Sequence, residues 1–286
     1  MSFDPGAYRQ QSLQGWEEAA AGWVRRHELT STFAAPVSHW MVHAISPQPG
    51  QRVLELAAGL GESSMLAAEL VAPMGGVIIS DQAEAMLDGA RDLARRMGVP
   101  NAEFQVLNAE WIDLPLASVD AVMCRWGYML MADPAAALAE TRRVLRPGGT
   151  VALAVWAGIA SNPWALLPAQ ELIARSLAPQ PDPDAAWRPG PFALGDADTL
   201  RELLHDAGFS DVTVESIELV RRHPGFEELW ETTLDLSRGF HDAVLSRPEQ
   251  EIEEIKRSLA ERFAPHTEPD GSLAIPASTL VASAGA

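Results

Sequence analysis

Val53-Leu54-Glu55-Leu56-Ala57-Ala58-Gly59-Leu60-Gly61-Glu62 is an apolar strand running into a glycine turn. Ser63 to Val71 (SSMLAAELV) follows with the apolar spacing of a helix packed on its sheet. Gly59 and Gly61 lack a Cβ, so the backbone there can turn sharply and a ligand can approach it closely, at the positive end of the helix dipole. An open α/β sheet keeps its nucleotide at such a place. A Gly-x-Gly pair also occurs as a plain strand-to-helix connection, so its meaning comes from its neighbours. The next strand, Gly76 to Ser80, ends in Asp81, which suits the hydroxyls of a ribose at a second strand tip. Glu55 lies before the glycines, where a carboxylate attracts a cation and repels a pyrophosphate, and Ser64 stands where the dinucleotide fingerprint has its third glycine. The combination points to a ligand with a ribose and a positive charge but no phosphate.

Outward from that stretch, strand and helix alternate: strands at 51–57, 76–81, 102–107, 118–125 and 149–156, helices at 62–71, 83–97 and 134–145. Such alternation predicts an α/β fold with a parallel sheet and right-handed crossovers. Residues 1–46 are expected to form an N-terminal helical cap and 47–157 the ligand-binding core. An insertion at 158–195 carries a helix from Asn162 to Leu177 and a Pro-rich loop from Pro179 to Pro191. The core continues over 196–220, with a helix from Asp198 to Ala207 and a strand from Asp211 to Leu219. A second insertion spans 221–276, and 277–286 hold the last strand and tail. Both insertions leave the carboxyl ends of parallel strands, so they are expected to rise on the ligand side and form a cap.

These residues resemble the class I S-adenosylmethionine-dependent methyltransferases, in particular the branch similar to ubiquinone/menaquinone C-methyltransferases. The resemblance covers roughly 50–157, with a weaker echo at Leu200 to Val214. The family's first motif, acidic-x-Gly-x-Gly-x-Gly, is matched at Glu55, Gly59 and Gly61, with Ala57 in place of the first glycine. Its second-strand acid corresponds to Asp81, followed by Gln82 and by Met86, which would pack on the adenine. Asn108-Ala109-Glu110 follows the third strand where Asp-Ala-Glu is usual, and an amide oxygen can still accept from the adenine amino group. Leu114-Pro115, Ser118 to Val122 and Arg143 to Gly149 keep the family's order and spacing. The resemblance implies a Rossmann-like methyltransferase fold, a mostly parallel seven-stranded sheet with helices on both faces and a largely helical cap. It implies S-adenosyl-L-methionine as cofactor, held also by Cys124 and Arg125, with S-adenosyl-L-homocysteine as product. Trp126 and Tyr128, past the fourth strand, would face the transferable methyl, and Trp156 and Trp16 would line the acceptor site. The Asn/Asp-Pro-Pro-Tyr/Phe motif of the members that methylate DNA bases is missing here.

Composition agrees with a small-molecule acceptor. The 286 residues carry a net charge of −18, so polyanions and anionic membrane surfaces are poor partners and no nucleic acid is expected. A single cysteine, Cys124, excludes an internal disulfide and a cysteine metal cluster. Met1 to Gln11 lack a basic-then-apolar pattern and no apolar run approaches the ~20 residues of a membrane span, so a cytoplasmic protein is expected, with a homodimer left open. His39, His43, His223 and His241 fall in cap segments and are the candidates for a general base. His39 and His43 have no nearby third ligand, so no metal is expected. The expected reaction is in-line methyl transfer to oxygen or carbon of an apolar quinone-, phenol- or polyketide-like acceptor. Two alternatives stand beside it. One is a cofactor-binding protein of the same fold with another activity, such as a cyclisation. The other, disfavoured by Glu55 and the missing glycine, is an NAD-dependent oxidoreductase.

Overall fold

The computed structural model describes residues 3–180 and 187–286; positions 181–186 of the Pro-rich loop expected at 179–191 lie outside the described residues. The chain opens with two helices, α1 (Pro5–Arg25) and α2 (His27–Ile45). Asp4 caps the first, its carboxylate accepting from the amides of Gly6 and Ala7. β1 (Arg52–Glu55) then enters the sheet, followed by α3 (Glu62–Val71), β2 (Gly76–Asp81), α4 (Glu84–Met97) and β3 (Ala102–Val106). β4 (Val119–Arg125), α5 (Pro134–Val144) and β5 (Leu145–Trp156) complete the alternating part. The first insertion contributes α6 (Pro163–Ala174), and the core resumes with α7 (Ala197–Asp206) and β6 (Ser210–His223). The second contributes α8 (Phe226–Leu236), α9 (Arg238–Leu245) and α10 (Glu249–Phe263) before β7 (Leu273–Gly285).

The seven strands lie in the order β3-β2-β1-β4-β5-β7-β6. β1 to β5 pair in parallel, whereas β7 runs antiparallel between β5 and β6. Val53, Leu54, Val122, Met123, Val151 and Leu153 are fully buried, as expected for strands covered on both faces. In α4 the buried side are Met86, Leu87, Ala90, Leu93 and Ala94, spaced to form one stripe against the sheet.

Several bounds differ from the sequence-based ones. β1 stops at Glu55, because Ala57 turns into the left-handed region with φ +49°. α5 gives way directly to β5 at Leu145, and the pairing with β4 slips between Val119 and Ala121 to accommodate Arg146 to Gly149. β6 and β7 pair from Ser210 opposite Gly285 to His223 opposite Leu273, so Arg221 and His223 belong to a strand.

The two insertions share a second apolar core. Leu172 of α6, Leu229 and Trp230 of α8, Phe240 and Val244 of α9, and Ile255, Leu259 and Phe263 of α10 pack with Leu273 and Ile275 at the start of β7. α2 packs on α3 and across β4, β5, β7 and β6. α1 reaches from α4 to α8. There a Cβ on Gly22 would overlap the carbonyl of Asp235, and Arg26 pairs with Asp235, Glu228 and Glu231 at 2.7, 3.2 and 3.1 Å.

Candidate functional site

The glycine turn is held from beneath by Glu55. Its Oε2 accepts from the Ser64 amide (2.9 Å) and hydroxyl (2.6 Å), satisfying donors at the start of α3 that have no partner within the helix. The carboxyl is buried, and desolvation raises its pKa against the opposing pull of Arg125. Glu55 does not line the cavity above the turn, contrary to its expected contact with the ligand. Gly61 faces inward as well; with φ +76°, a Cβ there would come within 3.0 Å of Ile79 Cγ2. Ala57, Ala58 and Gly59 form the cavity floor. Asp81, at the tip of β2, steadies them, its Oδ2 accepting from the Gly59 amide and its Oδ1 from the Ala83 amide, each at 3.0 Å. Burial raises the pKa of this carboxyl too.

The cavity encloses about 1000 Å³ of non-atom space, its mouth included. From the expected set, Ala57, Gly59, Asp81, Gln82, Met86, Asn108, Ala109, Glu110, Arg125, Trp126 and Trp16 line it. The N-terminal cap expected over residues 1–46 supplies the roof, though of its side chains only Trp16 was expected at the site. α1 lies over the cavity and contributes Tyr8, Arg9, Ser12 and Trp23 beside Trp16. Tyr8 Oη donates to the Leu130 carbonyl at 2.9 Å, Arg9 Nε to Glu110 at 3.0 Å, and Gln82 Nε2 to Ser12 Oγ at 3.3 Å. Glu17 accepts from the Glu84 and Ala85 amides at the start of α4. The sequence carried one signal for this roof, the seven-residue spacing that sets Trp16 and Trp23 on one face of a helix.

At the tip of β4 the chain does something a strand does not. Trp126 takes φ +58°, a conformation that costs a bulky residue energy and marks turns, strain or function. It breaks the period-two alternation, so Arg125 and Trp126 both reach the cavity while Cys124 stays inside the sheet. Cys124 therefore does not line the cavity, contrary to its expected place there, and burial pushes its thiol pKa up to about 12. Tyr128 is also fully buried, its hydroxyl hydrogen-bonded to Thr141 Oγ1, which removes it from the acceptor side. Trp156 backs Trp126 instead of lining the cavity, the two rings stacked at 4.3 Å and 12°.

None of the four candidate histidines comes to the cavity. His39 and His43 are exposed along α2, His241 pairs with Asp242 on α9, and His223 is buried against Glu228. Among the described residues no group of three His, Cys, Asp or Glu side chains could hold a metal.

A profile of the methyltransferase domain family matches residues 53–149, the segment that builds the turn and the strand tips. Over 191 residues the chain is 30% identical to the ubiquinone/menaquinone biosynthesis C-methyltransferase UbiE of Yersinia enterocolitica, covering 62% of this chain and 74% of that protein. The chain belongs to the class I S-adenosylmethionine-dependent methyltransferases. It is 31% identical over 146 residues to aklanonic acid methyltransferase DauC of Streptomyces sp. (strain C5), a match that spans 51% of this chain and 65% of DauC. In fold, the methyltransferase is similar to the YcgJ protein of Bacillus subtilis, with a TM-score of 0.58 at 16% identity over 87% of this chain and 97% of that one. It is similar also to the [4+2]-cyclase SpnF, with a TM-score of 0.55 at 13% identity over 94% and 95%.

The residues present fit the methyltransferase cofactor. Asp81 offers its carboxylate at the second strand tip, and each oxygen can accept a further hydrogen bond beyond its backbone one. Trp23 Nε1 is sealed at the cavity wall without a partner. Among the described lining residues, Glu62, Asp81 and Glu110 oppose Arg9 and Arg125. Arg125 is engaged by Glu62 at 2.6 Å and Arg9 by Glu110, which leaves the Asp81 carboxylate without a cationic side chain. That balance suits a net cation and disfavours a pyrophosphate. No described helix is long and apolar enough to cross a membrane.

Proposed function

We propose that this chain binds S-adenosylmethionine beneath α1 and transfers its methyl to an oxygen or carbon of an apolar, aromatic small molecule. The carrying observation is one cavity that joins the Asp81 and glycine-turn floor to an aromatic wall at Trp126. When bound, the cofactor supplies a methyl already activated on a sulfonium. The protein's task is then alignment of two reactants in a dry site. Asp81 would hold the ribose, Met86 and Asn108 the adenine side, and the α1 roof would exclude water through its contacts to Leu130, Glu110 and Gln82. Trp126, fixed by stacking on Trp156 and by donation of its Nε1 to Thr279 Oγ1 at 3.0 Å, presents a rigid face to a flat acceptor. With no histidine among the described lining residues, proton removal falls to the acceptor's own acidity, to water or to one of the lining carboxylates Glu62, Asp81 and Glu110. The relatives' names, which give aklanonic acid, ubiquinone and menaquinone, support an acceptor of this kind. The test is incubation with methyl-labelled S-adenosylmethionine and a panel of phenols, naphthols and quinols, read by product mass. A gain of one labelled methyl supports the proposal. Donor binding without any such gain across the panel overturns it in favour of another reaction on the same fold.

A further inference from the structure

We infer that Arg221 anchors an anionic group on the acceptor, which makes the substrate an aromatic acid or comparably charged arene. This deepens the methyl-transfer proposal and rests on it. In β6, Leu219, Arg221 and His223 share the inward face, where a strand packed under α2 and α8 calls for apolar side chains. The Arg221 guanidinium lies 5.5 Å from the centre of the Phe33 ring and 4.9 Å from that of Trp164. Trp164 packs on Trp156 at 5.0 Å, and Phe33 on both Trp126 and Trp156, at 6.1 and 6.0 Å. The cation thus closes a circuit of four rings that includes Trp126, the wall of the donor cavity.

Among the described residues Arg221 forms no hydrogen bond or ion pair, and the nearby Glu228 is already taken by His223, by Arg26 at 3.2 Å and by Thr232 at 2.8 Å. Desolvation draws the guanidinium pKa down to about 10. Its nitrogens are nonetheless not among the sealed polar atoms that lack partners, and the residue keeps accessible surface. A deep-set cation whose nearby carboxylate, Glu228, acts on it without a hydrogen bond is costly, and ring faces compensate only part of that cost. A carboxylate or phenolate that meets the accessible side of the guanidinium would complete the arrangement with a bidentate, charge-assisted contact. The arene would lie along the Trp126–Trp156 pair, its charged end at Arg221 and its reacting end toward the donor cavity.

The test uses the full chain and two probes, 1-hydroxy-2-naphthoate and its methyl ester, which differ in the carboxylate charge and one ester methyl. Calorimetry first establishes S-adenosylhomocysteine binding; if that fails, the methyltransferase reading itself falls. On the product-loaded protein, the acid is expected to bind tighter than the ester by on the order of tenfold or more. Arg221→Met, which keeps the stem and removes the charge, should abolish that preference while leaving S-adenosylhomocysteine affinity within about twofold. Equal binding of acid and ester by the unaltered protein, binding of neither, or an undiminished preference in Arg221→Met each overturns the anchor while leaving donor binding intact. Should the methionine variant not fold, the acid-to-ester comparison on the unaltered protein decides alone.

Discussion

Replacing Glu55 separates two roles that the sequence leaves merged. Were its charge to face the ligand, Glu55→Gln would weaken a sulfonium donor more than its neutral product. The structure turns the carboxylate the other way, onto Ser64. Glutamine keeps an oxygen for both Ser64 donors and gives up a charge whose burial is itself unfavourable. Glu55→Gln should therefore stay within about 1 kcal/mol of the wild type in stability. Glu55→Ala is a different perturbation. It strands the buried Ser64 amide and hydroxyl, at about 1–3 kcal/mol each, and opens a void under the turn. A loss of roughly 3–5 kcal/mol follows. At about 2–4 °C per kcal/mol for a chain near this size, that lowers the melting temperature by roughly 10 °C. Urea and thermal unfolding measure the fold, and calorimetry with S-adenosylmethionine and S-adenosylhomocysteine measures the site. Both ligands should lose affinity equally. A glutamine variant that loses only the sulfonium, or an alanine variant as stable as the wild type, would refute the capping argument.

Asp81→Asn puts an amide NH₂ opposite either the Gly59 or the Ala83 N–H, and should weaken S-adenosylhomocysteine binding by about 1–3 kcal/mol; unchanged binding by calorimetry would displace the ribose from Asp81. Gly127→Ala drives a Cβ to 2.5 Å from Cys124 Sγ and 2.7 Å from Ala57 Cβ, at an expected cost of about 1–3 kcal/mol. Adding Ala57→Gly should restore part of that loss, and strictly additive effects in urea unfolding would refute the contact. Burial holds the His223 imidazole below its usual 6.5, so below that pH the unfolded chain binds a proton that the folded chain refuses and stability falls with pH. His223→Gln should flatten the decline from pH 6.5 downward, and an unaltered slope across the unfolding series would rule His223 out as its source.

The parts of the site legible in the sequence are those whose signal is local. The strand, the turn glycines and Asp81 lie within one stretch of chain, and the apolar runs around them fix the parallel sheet. The N-terminal cap was legible as a cap, but its contacts were hidden because their partners are distant in sequence. Nothing near Arg9 says that it pairs with Glu110, or near Ser12 that it meets Gln82. Cys124 and Tyr128 misled for another reason. The family resemblance marks the tip of β4 but not the direction of each side chain there, and the left-handed Trp126 turns Arg125 and Trp126 to the cavity while Cys124 and Tyr128 stay buried. Arg221 was assigned to an insertion because its charge masked the alternation of Leu219 and His223, which carries β6 past the expected end.

The pressing of Gly22 onto the Asp235 carbonyl, with Arg25 and Arg26 clasping the same aspartate, has a mechanical outcome. Backbone against backbone leaves no side chain to act as a cushion, so the covering helix and the helix behind the Arg221 strand behave as two arms of a single lever. On the proposed reading, lifting the covering helix to free a spent nucleoside would also pull on the wall behind Arg221, gearing the two halves of the site together.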